Sequence, residues 1–182
     1  MAITLDRRKF LQRIYQVVIA AGAAPLLSFD ELLAAEANPA VAGWSRPNLV
    51  WLQGASCSGC STSLLNVEQI TILDFLTYFT RLVYHPNLSS AAVDQIPQIL
   101  NKLAASGKPY ILIMEGAIPV GMPHACMLAH RPISEWAGLL AAKASLCIAG
   151  GTCAASGGVA KMAGTLTGAK SLDDFLKQQA IK

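Results

Sequence analysis

Apolar residues along this chain come in short runs, several of which end in glycine. "NLVWLQG" (48–54) is apolar at most positions and predicts a buried strand that empties into a loop with two cysteines. "STSLLNVEQITILDFLTYF" (61–79) reads as a helix, with Ser61 or Thr62 as its N-cap. "RLVYH" (81–85) is a short strand. "AAVDQIPQILNKLAASG" (91–107) puts Val93, Ile96, Ile99, Leu100 and Leu103 on one helical face, with Gly107 as the stop. Pro97 predicts a break or kink near the start of that helix. "YILIMEGAIP" (110–119) is the clearest buried strand and ends at Glu115-Gly116. "PISEWAGLLAAKA" (132–144) predicts another helix, and "SLCIAGG" (145–151) a last strand leading to Cys153. "SLDDFLKQQ" (171–179) closes with a short helix capped by Ser171.

Nearly all-apolar strands alternating with helices predict an α/β fold, with an open parallel sheet covered on both faces. Loops at the carboxyl ends of such strands are where open α/β sheets place ligands. Three of them carry unusual residues: Cys57 and Cys60 after the first strand, Glu115-Gly116 after the middle one, and Cys153 after the last. The pattern therefore predicts that these residues share one edge.

Composition sharpens this picture. Of 182 residues, 53% are hydrophobic and only 14% charged, and the mean hydropathy is +0.44. A typical soluble domain carries roughly a quarter charged residues, so much apolar surface must be covered. No apolar run approaches the ~18–20 residues of a spanning helix, so a large obligate interface is the better account, and no transmembrane anchor is expected. A net charge of +3 without basic clusters beyond the N-terminus gives nucleic-acid binding no support.

The first residues read as an address. Arg7-Arg8 precede a weakly hydrophobic stretch, "IYQVVIAAGAAPLLS", and Ala35-Glu36-Ala37 provide a small-residue cleavage site. The layout resembles a twin-arginine export signal over residues 1–37 and predicts a periplasmic mature domain over 38–182. All five cysteines fall in that domain, and their odd number argues against a purely paired disulfide framework.

C-x-x-C alone fits a disulfide, a redox pair, a zinc site or part of a larger ligand set. The sequence holds one such pair, Cys57/Cys60, with Cys126, Cys147 and Cys153 downstream. A zinc site on Cys57, Cys60, Cys126 and Cys153 is one reading, and a scaffold without a metal is another. Gly54, Gly59, Gly150, Gly151, Gly157 and Gly158 surround the candidate thiols. Glycine lets the backbone approach inorganic sulfide, and this density favours an iron–sulfur cluster. Cys147, inside the last strand, reads as an ordinary buried thiol. His85, His124 and His130 read as loop or surface residues. Glu115, a carboxylate ending a buried strand, needs a partner.

"WLQGASCSGCSTSLLN", "ILIMEGAIPVG" and "GTCAASGGVAKMAGTLTGAKS", in this order, resemble the small subunit of [NiFe] and [NiFeSe] hydrogenases over essentially the whole expected mature chain. The resemblance implies a flavodoxin-like domain that holds a proximal [4Fe-4S] cluster facing the nickel–iron centre of a large subunit. Cys57 and Cys60 would be its first two ligands and Cys153 its third. Glu115 and Gly116 would lie near the cluster and the subunit interface, with Gly59, Gly157 and Gly158 in its surroundings. Oxygen-tolerant members carry extra cysteines where this chain has Gly59 and Gly158, so their modified cluster is not expected. The resemblance places a fourth ligand in a G-C-P-P segment, and medial and distal clusters in a C-terminal domain, which are not found in this sequence. Cys126 is the fourth-ligand candidate within it. The implied function is electron transfer between the partner's hydrogen-converting centre and an external acceptor, such as a cytochrome, with no catalytic acid, base or nucleophile on this chain.

Overall fold

The computed structural model describes residues 46–68, 70–162 and 166–181. The segment expected to be a twin-arginine signal and the expected boundary after residue 37 lie outside them. The chain divides between Arg46 and Pro47, and the second unit carries the elements that follow.

The apolar runs form the expected strands: β1 (Asn48–Gln53), β2 (Arg81–Tyr84), β3 (Tyr110–Glu115) and, after the short strands β4 (Ile118–Pro119), β5 (Met127–Leu128) and β6 (Arg131–Pro132), β7 (Leu146–Gly150). They build one four-stranded sheet in the order β2-β1-β3-β7, and all three pairings are parallel. Among the described residues this order matches the first four strands of a flavodoxin-type doubly wound sheet, and its direction of winding reverses between β1 and β3.

Successive side chains of a strand point to opposite faces, and the two faces here differ. On the first, Val50, Leu52, Leu112 and Met114 join Ile96, Leu100 and Leu103 of a helix over Gln95–Ala105, together with Ile133, Trp136, Ala137 and Leu140 of a helix over Ile133–Ala141. Leu172 and Phe175, from the helix Leu172–Gln178, complete that core. On the second face, Leu49, Trp51, Ile111 and Ile113 are buried, as are Leu64, Phe75 and Phe79 from the segment between β1 and β2. Right-handed crossovers explain the split. The chain moves one way from β1 to β2 and the other way from β2 to β3 and β7, so the first connection lies on one face and the next two on the other.

The single helix expected over 61–79 is instead broken. An α-turn over Gly59–Ser63 passes into a 3-10 turn, Leu64–Asn66. A fresh helical turn starts at Ile72, where Thr71 and Asp74 form a capping box, and Phe75–Phe79 follows as a π-turn. The predicted caps, Ser61 and Thr62, lie inside the first turn, whose N-cap is Ser58. The helix expected from residue 91 starts only at Gln95, two residues before Pro97, and then runs on to Ala105. Pro97 is the third residue of its helix, where the backbone N–H would have no intrahelical partner to lose. Val93 precedes that helix and is exposed. Gly107 takes a left-handed φ of 65° just past its end. Ser171 caps the last helix as expected, its hydroxyl accepting from the Asp174 N–H at 3.2 Å.

Candidate metal centre

The loops leaving β1 and β3 meet at the point where the winding reverses. The Gly54 N–H donates to the Glu115 carbonyl at 2.8 Å, and Ala55 and Ala117 exchange backbone bonds of 2.8 and 3.3 Å. This contact needs glycine. A Cβ on Gly116, whose φ is +84°, would lie 2.7 Å from both the Ala55 oxygen and the Ser56 Cβ. The cysteine loop then tightens. The Ser56 hydroxyl accepts from the Ser58 N–H at 3.1 Å, and Ser58 takes a left-handed φ of 60°. Cys57 is left exposed, while Cys60 is carried half-buried into the first helical turn.

Glu115 is fully buried and holds this loop to the sheet. Its Oε2 accepts from Trp51 Nε1 at 3.0 Å and Gln53 Nε2 at 3.2 Å. Its Oε1 accepts from Ser56 Oγ at 3.1 Å and from the Cys60 N–H at 3.2 Å. Burial pushes its pKa up, but hydrogen bonds from Ser61, Gln53, Trp51 and Ser56 outweigh this and hold it below the usual carboxylate range. The magnitudes agree with that outcome. Bonds to a charged group contribute about 1.5–3 kcal/mol each, so several together offset a desolvation cost of several kcal/mol.

Each of the three candidate thiols lies over a glycine. A Cβ on Gly59 would sit 3.1 Å from Cys57 Sγ, and one on Gly158 would sit 2.5 Å from Cys153 Sγ. One on Gly151 would overlap Cys60 Sγ. That last contact joins the Cys60 turn to the loop after β7, because Gly151 directly precedes the short helix Thr152–Ser156 that bears Cys153. Cys153 therefore sits in a helical turn rather than an open loop. Gly157 and Gly158 reverse the chain behind it with φ of 95° and 55°, and the space beside Gly157 is filled by the Lys161 side chain.

The other sequence candidates lie elsewhere. Cys126 packs against the core of the first face, its thiol 3.9 Å from the Gln53 carbonyl, and burial raises its pKa. Cys147 is half-buried in β7, and burial raises its pKa too. His124 and His130 are exposed, as expected. His85 is not a surface residue: it is 4% exposed and its ring lies against Trp51. Sequence reading missed Trp51, Gln53, Ser56, Ser61 and His85. The available signal was period two along β1, which puts Trp51 and Gln53 on the face that Glu115 shares through its pairing with Gln53.

The residues present fit an iron–sulfur cluster in kind. They supply soft thiol donors on one sheet edge, with no Cβ on the glycine beside each. Among the described residues, no group of three or more His, Cys, Asp or Glu side chains is already gathered to hold a metal ion.

Fold and site together define a parallel α/β domain that presents thiols at its winding reversal. The chain belongs to the family described as NADH ubiquinone oxidoreductase, 20 Kd subunit, which matches residues 57–181, from the first of these thiols to beyond the last. Among curated relatives, a periplasmic [NiFe] hydrogenase small subunit of Nitratidesulfovibrio vulgaris is 32% identical over 97% of this chain and 54% of its own length. The periplasmic [NiFeSe] hydrogenase small subunit of Desulfomicrobium baculatum is 30% identical over 77% of this chain and 48% of its own. Among solved structures, the [NiFeSe] hydrogenase of Desulfovibrio vulgaris Hildenborough superposes with a TM-score of 0.70 at 32% identity, over 77% of this chain and 52% of that one. The chain thus spans about half the length of the relatives it matches.

Proposed function

We propose that this chain is the electron-transfer small subunit of a [NiFe]-type hydrogenase. It would hold a proximal [4Fe-4S] cluster and relay electrons between a nickel–iron centre in a large subunit and an external acceptor, such as a cytochrome. The observation that carries this reading is the set of three thiols, each over a glycine, at one sheet edge, in a chain similar to hydrogenase small subunits over 97% of its length. When bound, the cluster supplies a one-electron carrier. Cys57, Cys60 and Cys153 would hold it, while Glu115 anchors the first two to the sheet through Ser56 and the Cys60 N–H. Cys126, half-buried against the core of the first face, is assigned to packing. That assignment weighs against the zinc reading, which needs Cys126 beside the other three.

Exposed apolar side chains flank both thiol-bearing turns. Leu65 follows the first, and Val159, Met162 and Leu166 follow the second. A large subunit docked over this edge would cover them and account for the low charge content. No helix among the described residues is long and apolar enough to cross a membrane. The twin-arginine signal and periplasmic destination rest on Arg7-Arg8 and the relatives' periplasmic names.

Iron analysis and EPR after anaerobic purification with the large subunit test the proposal. The expected result is a reducible cluster signal that disappears in Cys153→Ser and persists in Cys147→Ser. Equal effects of the two substitutions overturn the ligand assignment, and protein that binds the large subunit without iron overturns the function.

A further inference from the structure

The Glu115 carboxylate connects two different environments. Oε1 serves the cysteine loop, through Ser56 and the Cys60 N–H. Oε2 serves the sheet, through Trp51 and Gln53. Trp51 is only 2% exposed, so its indole N–H has no water as an alternative partner. Behind it the His85 ring lies 5.2 Å away, centroid to centroid, tilted by 48°. His85 is itself tied down: its Nδ1 accepts from the Asn87 N–H at 3.1 Å, and its own N–H donates to Ser89 Oγ at 2.9 Å. A line of buried, fixed groups therefore runs from the end of β2, through Trp51 and Glu115, to the backbone of a thiol-bearing residue.

This line has a consequence for any cluster held there. The Cys60 N–H is committed to a carboxylate and is withheld from sulfur. Hydrogen bonds to cluster sulfurs and nearby charge are two of the levers that set iron–sulfur potentials. N–H donors favour the more negative reduced state, and an adjacent carboxylate opposes it. Withholding a donor and holding a carboxylate close act in the same direction.

We propose that Trp51 is a positioning residue for the cluster, its indole N–H fixing the rotation of the Glu115 carboxylate and so keeping the Cys60 N–H turned from the cluster sulfurs and the reduction potential low. The proposal rests on the electron-transfer reading. Trp51 Nε1 donates to Glu115 Oε2, and Glu115 Oε1 accepts from the Cys60 N–H, so the effect of the indole on the thiol-bearing turn runs through Glu115. His85 holds the indole by packing, and its loss affects stability rather than potential.

The test is an EPR-monitored redox titration of the complex with its large subunit, purified anaerobically. The relevant signal is identified as the one lost in Cys153→Ser. In Trp51→Phe, which keeps an aromatic ring but removes the N–H, that signal should shift to higher potential with altered g-values at near wild-type iron content. In His85→Leu the melting temperature should fall while potential and g-values stay unchanged. A wild-type potential and spectrum in Trp51→Phe overturn the proposal, as does an equal shift in His85→Leu. Should Trp51→Phe yield too little complex, Gln53→Leu removes the other N–H on Oε2 from a half-exposed site. It should shift the potential in the same direction by less, and no shift there overturns the proposal equally. A wild-type complex without a reducible cluster overturns the electron-transfer reading, which separates that failure from failure of the Trp51 assignment alone.

Discussion

On one face of the sheet, Val50, Leu52, Leu112 and Met114 meet helices through apolar side chains, and Trp136, Leu100 and Phe175 are buried to within 1%. On the other face, one residue along the same strands, Trp51, Gln53 and Glu115 meet short broken turns through hydrogen bonds. The first face buries apolar area, which is non-directional and tolerates small shifts. The second fixes atoms through hydrogen bonds, which weaken steeply with poor geometry. Both faces bury apolar side chains, among them Leu49, Ile111, Ile113, Phe75 and Phe79 on the second, and only the second adds the work of placing a thiol. The Cys60 N–H can make its bond to Glu115 because it lies in the first helical turn, where a backbone N–H has no intrahelical partner.

Trp136→Ala should have the largest effect on stability, on the apolar face. Truncating a fully buried Trp costs about 3–5 kcal/mol, and this one also loses its bond to the Leu128 carbonyl and its contact with Arg131. Denaturant unfolding should record that loss, while iron per folded chain stays at the wild-type level. A parallel loss of iron would show that the two faces are not separable.

Gly151→Ala should reverse the pattern. Its φ of +86° and ψ of 172° fall in a region essentially reserved for glycine, at a cost of about 1–3 kcal/mol. The new Cβ would overlap Cys60 Sγ, so iron content should fall far more than the melting temperature does. Unchanged iron would contradict the joining of the two thiol-bearing turns.

The acid-dependent contribution of Glu115 should be the smallest effect, read as the difference between wild type and Glu115→Gln. Glu115 has a folded-state pKa below its unfolded value of 4.5, burial raising it and the hydrogen bonds lowering it by more. Its contribution to stability is therefore present above that value and is lost as pH falls through the folded pKa. The gap between the melting curves of wild type and Glu115→Gln should begin to narrow below about pH 4.5 and close only below the folded pKa. A gap independent of pH would mean that the carboxylate's charge contributes nothing.

Much of this was legible beforehand because it is local. The strands announce themselves through uninterrupted apolar runs, Ser171 caps its helix with an N–H three residues on, and Gly116 marks a turn that a side chain would block. The broken segment over 61–79 was less legible. Its apolar residues suit one helix, but the capping box at Thr71 and Asp74 starts a new one, and the turn over Ser56–Ser58 starts the first one early. His85 looked like a loop residue because nothing in "RLVYH" indicates what lies beside it. Its burial arises from Trp51 on the neighbouring strand.

By itself, the sequence determined the parallel α/β class, the order of the thiol-bearing segments and the glycines that leave room for them, since periodicity and backbone freedom are properties of neighbouring residues. Only the tertiary structure decided that the turns bearing Cys60 and Cys153 meet, across Gly151, and what anchors the first of them. Glu115 finds Trp51, Gln53, Ser56 and Cys60 at separations of 55 to 64 residues, and strand order and register bring such partners together. Cys126 and the C-x-x-C pair look equivalent as thiols in the chain, and the side of the sheet on which each connection crosses is what tells them apart.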